Sequence, residues 1–322
     1  MKKIFRLTTL SRFDVCHENC SYSKLVYRSG SLKLFKCLLS SKCQFDCKYC
    51  YNPWHGKDTI TPEEFSKVFL SLYKKGLADS VFISSGIYGD VEKVMNDIIE
   101  AGELIRKEFS GYIHLKIIPG ANKDQIKRAT EIANRISINA EVADEKMLSE
   151  VCSVKSKYDI LRRERWIAKY AKNISHTTQI VVGLGETDKD ILSFMKKWYS
   201  FGVKRIYFSP FRALKGTPYE NKENEKRSRI INLYRADWLV RKYGYDIRKL
   251  EAVAGERFKE DPKLLVAKEF GINNFLEIPG IGFKAAKLME RGYSLKDLKK
   301  MGFKIKKALS FLPEQKKISD FL

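Results

Sequence analysis

Three cysteines on one short stretch carry the most chemistry in this chain. Cys43-Gln-Phe-Asp-Cys47-Lys-Tyr-Cys50 has the spacing C-x3-C-x2-C and directly follows a run that reads as a β-strand. Three thiolates on such a loop can converge on one metal centre. A structural zinc ion asks for four protein ligands. The fourth would have to be Cys37, inside the strand, or His55, beyond Tyr51-Asn-Pro-Trp54. An iron–sulfur cluster held by three cysteines instead leaves one iron open to a substrate or cofactor. The spacing favours the cluster and leaves zinc as the alternative. Of the seven cysteines, six lie in the first 50 residues. An odd count without an export signal argues against a disulfide framework and for metal.

A second stretch speaks for phosphate. Phe275-Leu-Glu-Ile278-Pro279-Gly280-Ile281-Gly282-Phe-Lys284-Ala-Ala-Lys287 places apolar residues at helical spacing around a Pro-Gly-Ile-Gly turn. Two glycines bare backbone N–H groups at the start of the next helix, where the positive helix end adds to them. Lys284 and Lys287 would add charge beside a bound phosphate. The bland alternative is a small helical protein–protein module with a solvated lysine face.

The elements that position the cysteines are a repeating series. Strands are expected at Leu34–Leu39, Ser80–Ser84, Tyr112–Ile118, Arg135–Glu141, Thr177–Val182 and Lys204–Ser209. Helical patterns fall between them: Pro62–Lys75, Val91–Glu108, Lys123–Ala133, Glu145–Tyr170 with a break, and Lys189–Phe201. Thr61 stands as an N-cap, with Pro62 at the first helical position and Glu64 three residues on. Strand and helix in alternation imply a parallel α/β architecture.

The strands narrow the architecture further. Tyr112, His114 and Lys116 share one face of their strand, Ser137, Asn139 and Glu141 another, and Arg205, Tyr207 and Ser209 a third, each against apolar neighbours. An open doubly wound sheet should be apolar on both faces. A barrel, or part of one, explains a repeatedly polar face, and a polar lumen implies a ligand cavity. His114 is a candidate lumen proton donor, with a bond to a neighbouring carbonyl as the alternative. Lys116 and Tyr207 are candidate substrate contacts.

The cysteine loop, with aromatic Tyr49 before its last cysteine, resembles the radical SAM superfamily, over about residues 31–215. That resemblance implies a partial (βα)6 barrel and a [4Fe–4S] cluster on Cys43, Cys47 and Cys50. It implies S-adenosylmethionine on the open iron, cleaved by one electron from an external donor to a 5′-deoxyadenosyl radical. It also places cofactor contacts: Tyr49 beside the adenine; Ser84, Ser85 and Gly86 after the second strand; Asn139 and Glu141 at the end of the fourth; and Gly183, Gly185 and Glu186 in a turn after the fifth. Ser-Ser-Gly stands where many members have Gly-Gly-Glu and offers no carboxylate to the methionine amino group.

The C-terminal stretch resembles the helix-hairpin-helix module of DNA repair proteins, with Gly280, Ile281, Gly282, Lys284 and Lys287 as its nucleic-acid contacts. Ser294–Leu312 is a further helical half. With the barrel, Gly111–Gly120 and Tyr234-Arg-Ala-Asp237-Trp238, most of the chain resembles radical SAM proteins assigned to DNA modification or repair. The alternatives are a tRNA-modifying radical SAM enzyme and a DNA-binding protein with a purely structural metal site. Cys16 and Cys20 are candidates for an auxiliary metal site, or free thiols, or a zinc pair with His17. Cys37 and Cys152 read as small buried residues, Arg162-Arg-Glu-Arg165 as a solvated helix face, and Tyr234 and Trp238 as packing residues.

The expected organisation is an N-terminal extension (1–30), a barrel (31–215), a helical connector (216–262) and a basic helical module (263–322). Composition agrees with an anion-binding protein. The 322 residues carry 61 Lys and Arg against 39 Asp and Glu, a net +22, with 44% apolar residues. That apolar share excludes wholesale disorder. The excess is of one sign, which a merely charge-rich surface does not explain, so nucleic acid is the expected partner, DNA before tRNA. No stretch is apolar enough for a membrane span, and a soluble, cytoplasmic protein is expected.

Overall fold

The computed structural model describes residues 2–11, 21–23 and 25–311. Cys16 and Cys20, and with them the candidate auxiliary metal site, lie outside the described residues. The chain forms two compact units, Met1–Glu186 with Lys197–Glu225 and Thr187–Lys196 with Lys226–Leu322.

The first unit is built on one sheet whose strands follow chain order: β1 (Ser21–Ser23), β2 (Val26–Ser29), β3 (Leu32–Leu38), β4 (Ser80–Ser84), β5 (Tyr112–Lys116), β6 (Arg135–Glu141), β7 (Ser175–Val182) and β8 (Arg205–Pro210). From β3 onward every neighbour is parallel and every crossover carries helix, so six strands joined by five helical crossovers curl into a partial barrel. β1 and β2 extend the β3 edge as an antiparallel hairpin. Residues 1–30 have no clear period in the sequence, yet they also supply a helix, Lys2–Ser11.

Strand alternation sets the two faces of the sheet. Ile113, Leu115, Ile136, Ile138, Ile206 and Phe208 are fully buried toward the helices. The outer side of β3 shows the packing: the Phe35 ring lies 5.2 Å from Phe65 and 6.2 Å from Phe69 of the helix Pro62–Lys74. Burying such a ring is worth about 2–3 kcal/mol. That helix starts as the sequence demands, because the Thr61 side chain accepts from the Glu64 N–H and the Glu64 carboxylate accepts from the Thr61 N–H. The opposite face carries Lys36, His114, Lys116, Arg135, Tyr207 and their polar neighbours. An Arg135 Nη1 bond to the Tyr207 hydroxyl, 3.0 Å long, spans from β6 to β8 across this concave side.

The break expected within 145–170 is real and matters. Helix Glu145–Val151 stops at Cys152, and helix Lys157–Tyr170 restarts on the Ser156 cap. The intervening residues 152–156 lie beside the cysteine loop.

The second unit contains helices Arg227–Tyr243, Ile247–Ala254, Pro262–Phe270, Phe283–Glu290, Leu295–Lys300 and Lys306–Phe311, with a 3-10 turn at Phe275–Glu277. Its last three helices close over one small core: Ile278, Ile281, Ala285, Ala286, Met289, Leu295, Leu298, Ile305 and Ala308. Trp238, expected among packed side chains, is 49% exposed. Among the described residues, no helix is long and apolar enough to cross a membrane.

Candidate functional site

The cysteine loop begins where β3 ends and is closed at its neck. Ser41 N donates to Asp58 O at 2.9 Å, and the Ser41 hydroxyl accepts from the N–H groups of Lys57 and Asp58. Ser40 and Thr59 hydroxyls meet at 2.8 Å. Arg6 holds the Asp58 carboxylate in a two-pronged bond from the N-terminal helix and keeps it below the usual carboxylate range. Gly56 is required here, since a Cβ would fall on Ser41 O.

Two neighbouring loops then fix the cysteines. The turn after β4 receives the cysteine loop through backbone bonds: Leu39 N to Ser84 O, Gly86 N to Ser40 O, and Gln44 N to Ile87 O. At Gly86 a Cβ would stand 2.3 Å from Lys42 O. Gly86 thus lets two backbones approach, while the Ser85 hydroxyl donates to Gly86 O. The second brace is the helix break. Lys48 N donates to Val151 O, and the Asp46 carboxylate accepts from Ser153 N, the Ser153 hydroxyl at 2.6 Å and the Cys152 thiol at 3.1 Å. Burial alone would raise the Asp46 carboxyl, but these donors outweigh it and bring it down to about 2.

Inside this frame the thiols interact with one another. Burial pushes Cys50 up, and the charges of Cys47 and Cys43 push it further. Burial also raises Cys43. Cys47 is pulled below its ordinary range by the bond with Cys152 and, against burial, by the Lys155 ammonium. Lys155 is ion-paired with Glu141 at 2.6 Å, both side chains buried, and its ammonium also lies over the Phe45 ring. Glu141 in turn accepts from the Tyr49 hydroxyl. Burial would raise the Glu141 carboxyl, but Lys155 and Tyr49 hold it below the usual range. Burial and Glu141 push the Tyr49 hydroxyl up. Glu141 is the one non-glycine in the described chain with positive φ, at 66°, just past a register shift at the end of β6. Such a backbone costs on the order of 1–3 kcal/mol and collects at functional sites.

These thiols fit a cubane cluster. Three of them sit on one braced loop, electrostatically coupled, with a buried ammonium beside the central one. Among the described residues, no three His, Cys, Asp or Glu side chains converge on a single point fit for one metal ion. A cubane needs something else, one thiolate for each of three irons. The two fourth ligands proposed for zinc are occupied otherwise. Cys37 is fully buried, bonded to Leu38 O at 3.3 Å, and its thiol is pushed up to about 12 by burial. His55 Nε2 bonds Gly216 O at 2.9 Å.

The remaining expected positions divide by what they touch. Asn139 accepts from the Lys116 ammonium on the concave face. His114 Nε2 lies 2.8 Å from the Ser137 hydroxyl, with its ring edge against Phe82, so its partner is a hydroxyl and not a carbonyl. Burial, then Arg135, Lys116 and Lys36, hold it well below the ordinary histidine range. Glu186 closes the turn after β7, accepting from Gly183 N at 2.7 Å and Leu184 N at 3.1 Å. Gly183 packs where a Cβ would meet Glu225, whereas Gly185 has φ 135° and open space over it. Sequence reasoning missed Asp46, Cys152 and Lys155 as parts of this site; the only signal was the helix break that delivers the last two.

In the second unit, Gly280 has φ 85° and Gly282 is the N-cap of helix Phe283–Glu290. Gly282, Phe283, Lys284 and Lys287 are exposed, and Lys287 lies 4.6 Å over the Phe283 ring. Ile281 is buried in the small core, so only its backbone faces the turn. Lys263, also missed from sequence, reaches under the turn and donates to Ile281 O at 2.6 Å.

Comparison with known proteins follows the same lines. Residues 38–197 match the Radical SAM superfamily. The tRNA-2-methylthio-N(6)-dimethylallyladenosine synthase of Lachnoclostridium phytofermentans is 24% identical over 204 residues, 59% of this chain and 44% of that protein. Biotin synthase of Macrococcus caseolyticus is 24% identical over 246 residues, 72% of each. Methylornithine synthase shares the fold with TM-score 0.52 at 17% identity, over 71% of this chain and 66% of that one. A maturase of the [FeFe]-hydrogenase does so with TM-score 0.52 at 15% identity, over 64% and 49%. The chain thus spans less than half of the tRNA-modifying relative.

Proposed function

We propose that this chain, which carries a radical SAM domain over residues 38–197, is an enzyme of that type and modifies or repairs a nucleic acid, DNA first. A [4Fe–4S] cluster and S-adenosylmethionine are the cofactors of the superfamily; bound here, they would supply one-electron cleavage of the sulfonium to a 5′-deoxyadenosyl radical. Cys43, Cys47 and Cys50 would hold the cluster. Tyr49, Glu141 and Lys155 fix the floor beneath the cysteine loop, and Gly185 leaves open backbone after β7 where a ligand can come close. The concave face, with Lys116, Asn139 and His114, would hold the reacting part of the substrate.

The observation that carries the nucleic-acid reading is the turn Gly280–Gly282. It ends in a helix whose first N–H groups have no side-chain cap, flanked by exposed Lys284 and Lys287. Lys296, Lys299, Lys300, Lys306 and Lys307 are exposed on the adjoining helices, and Lys304 on the turn between them. Such a surface grips phosphates without reading bases. A target inside a duplex would have to be flipped out to be reached. The tRNA reading remains the second one, favoured by the tRNA-modifying relative.

The test is anaerobic. The reconstituted, reduced protein is given S-adenosylmethionine with no polymer, duplex DNA, single-stranded DNA or tRNA, and 5′-deoxyadenosine is quantified. Stimulation by DNA is the expected result. Stimulation by tRNA alone selects the second reading, and equal product in all samples removes nucleic acid as the trigger.

A further inference from the structure

The concave face of β5 and β6 carries two cations, Lys116 and Arg135, without an ion-paired carboxylate among the described residues; the charge of Lys116 is felt by the Glu141 carboxylate, which is itself paired with Lys155. His114 pairs with Arg135 in the register, and Lys116 with Ser137. The four side chains therefore form a patch about 5 Å across the strands and about 7 Å along them. Lys116 is 8% exposed, and its ammonium bonds only the neutral Asn139 amide. Arg135 bonds the Tyr207 hydroxyl and lies 5.7 Å from the Tyr112 ring, and its buried Nε has no hydrogen-bond partner. Neither cation forms an ion pair among the described residues. Lys36, over the Phe82 ring at 4.9 Å, adds charge from β3. A buried cation without an ion-pair partner is costly, and a bound anion would offset that cost here.

We propose that Lys116 and Arg135, with the His114–Ser137 pair between them, form an oxyanion wall that receives a phosphate group of the substrate. Three features favour phosphate over a carboxylate. The donors come from two adjacent strands and stand diagonally across the register, so they approach an anion from two sides. Arginine brings a planar fork and lysine a point charge, the usual complement of a multi-oxygen anion. The neutral imidazole and the hydroxyl add hydrogen bonds without adding charge. This inference rests on the nucleic-acid reading for the source of the phosphate and makes the nucleotide unit, not the base alone, the group bound in the barrel.

The test uses cluster-loaded protein with S-adenosylmethionine present. Each deoxynucleoside 5′-monophosphate is titrated against the matching nucleoside by calorimetry. At least one monophosphate should bind about tenfold tighter than its nucleoside. Lys116→Met and Arg135→Met should each weaken the monophosphate by about tenfold and the nucleoside by much less. The charge-keeping variants Lys116→Arg and Arg135→Lys should retain part of the preference, and iron content with circular dichroism verifies each fold. Absence of a preference in the wild type, or its survival in both methionine variants, overturns the wall. So does a parallel loss of S-adenosylmethionine affinity, which would assign the cations to the cofactor. Polymer-stimulated 5′-deoxyadenosine formation is measured on the same preparations. If it persists without a monophosphate preference, the wall falls and the nucleic-acid reading stands. If the preference holds while no polymer stimulates, the wall stands with a free nucleotide as its ligand.

Discussion

The thiols of Cys47 and Cys152 stand 3.4 Å apart, although 105 residues separate them in the chain. Cys152 is fully buried and also bonded to Asp46. In cluster-free protein this pair is set to oxidise. Mild oxidant should join Cys47 to Cys152 and block reconstitution, thiol reductant should restore it, and Cys152→Ser should reconstitute equally well before and after oxidant. Peptide mass mapping under non-reducing conditions reads the link directly. A link between Cys47 and Cys50 instead would contradict the geometry.

The Glu141–Lys155 ion pair lies beneath the cysteine loop with both partners buried. Lys155→Met strands a buried carboxylate and should cost about 3–5 kcal/mol of stability, with lower iron retention. The double variant Glu141→Gln, Lys155→Met removes both charges and should recover much of that loss. Thermal unfolding of the single and double variants decides it; additive losses would show that the two charges do not depend on each other.

Two glycines should respond differently to the same small change. Gly86→Ala forces a methyl against Lys42 O and should displace the cysteine loop, seen as reduced iron binding. Gly282 has φ −93°, and an added Cβ there meets only the Tyr243 hydroxyl at 3.6 Å. Gly282→Ala should therefore leave Tm nearly unchanged but weaken duplex affinity, because the methyl stands where a phosphate would approach. Wild-type affinity should fall steeply with salt and vary little with sequence. Unchanged affinity in Gly282→Ala removes this turn from the interface.

Burial brings the Lys263 ammonium down to about 8 from an ordinary 10.5, despite the nearby Asp261 and Glu277 charges. Between those two values the unfolded chain holds the proton and the folded one does not. Stability from this group therefore rises with pH across that window, by up to about 3 kcal/mol, and none of the gain is present below it. The stability difference between wild type and Lys263→Met, measured by urea unfolding at about pH 7 and about pH 10, should move in favour of the wild type at the higher pH. A constant difference would mean that Lys263 keeps its proton throughout.

Much of this was legible in the sequence because it is local. The C-x3-C-x2-C spacing puts Cys43, Cys47 and Cys50 on one loop in any fold. Period-two alternation in Tyr112–Lys116 and Arg135–Glu141 assigns each side chain to a face without knowledge of the partner strand. Thr61, Pro62 and Glu64 specify a helix start, and Gly280 and Gly282 a turn, through backbone geometry that neighbours in sequence control. The tertiary structure decided which distant groups meet. Parallel strands pair through crossovers, so the register that sets His114 beside Arg135 and Lys116 beside Ser137 depends on the packing of whole helices. A helix break at 152–156 reads in sequence as a mere interruption; only the curl of the sheet brings its Cys152 and Lys155 to the cysteine loop. The charge of Lys116 or Arg135 is evident from composition, but that neither has an ion-pair partner among the described residues depends on where the assembled sheet places it.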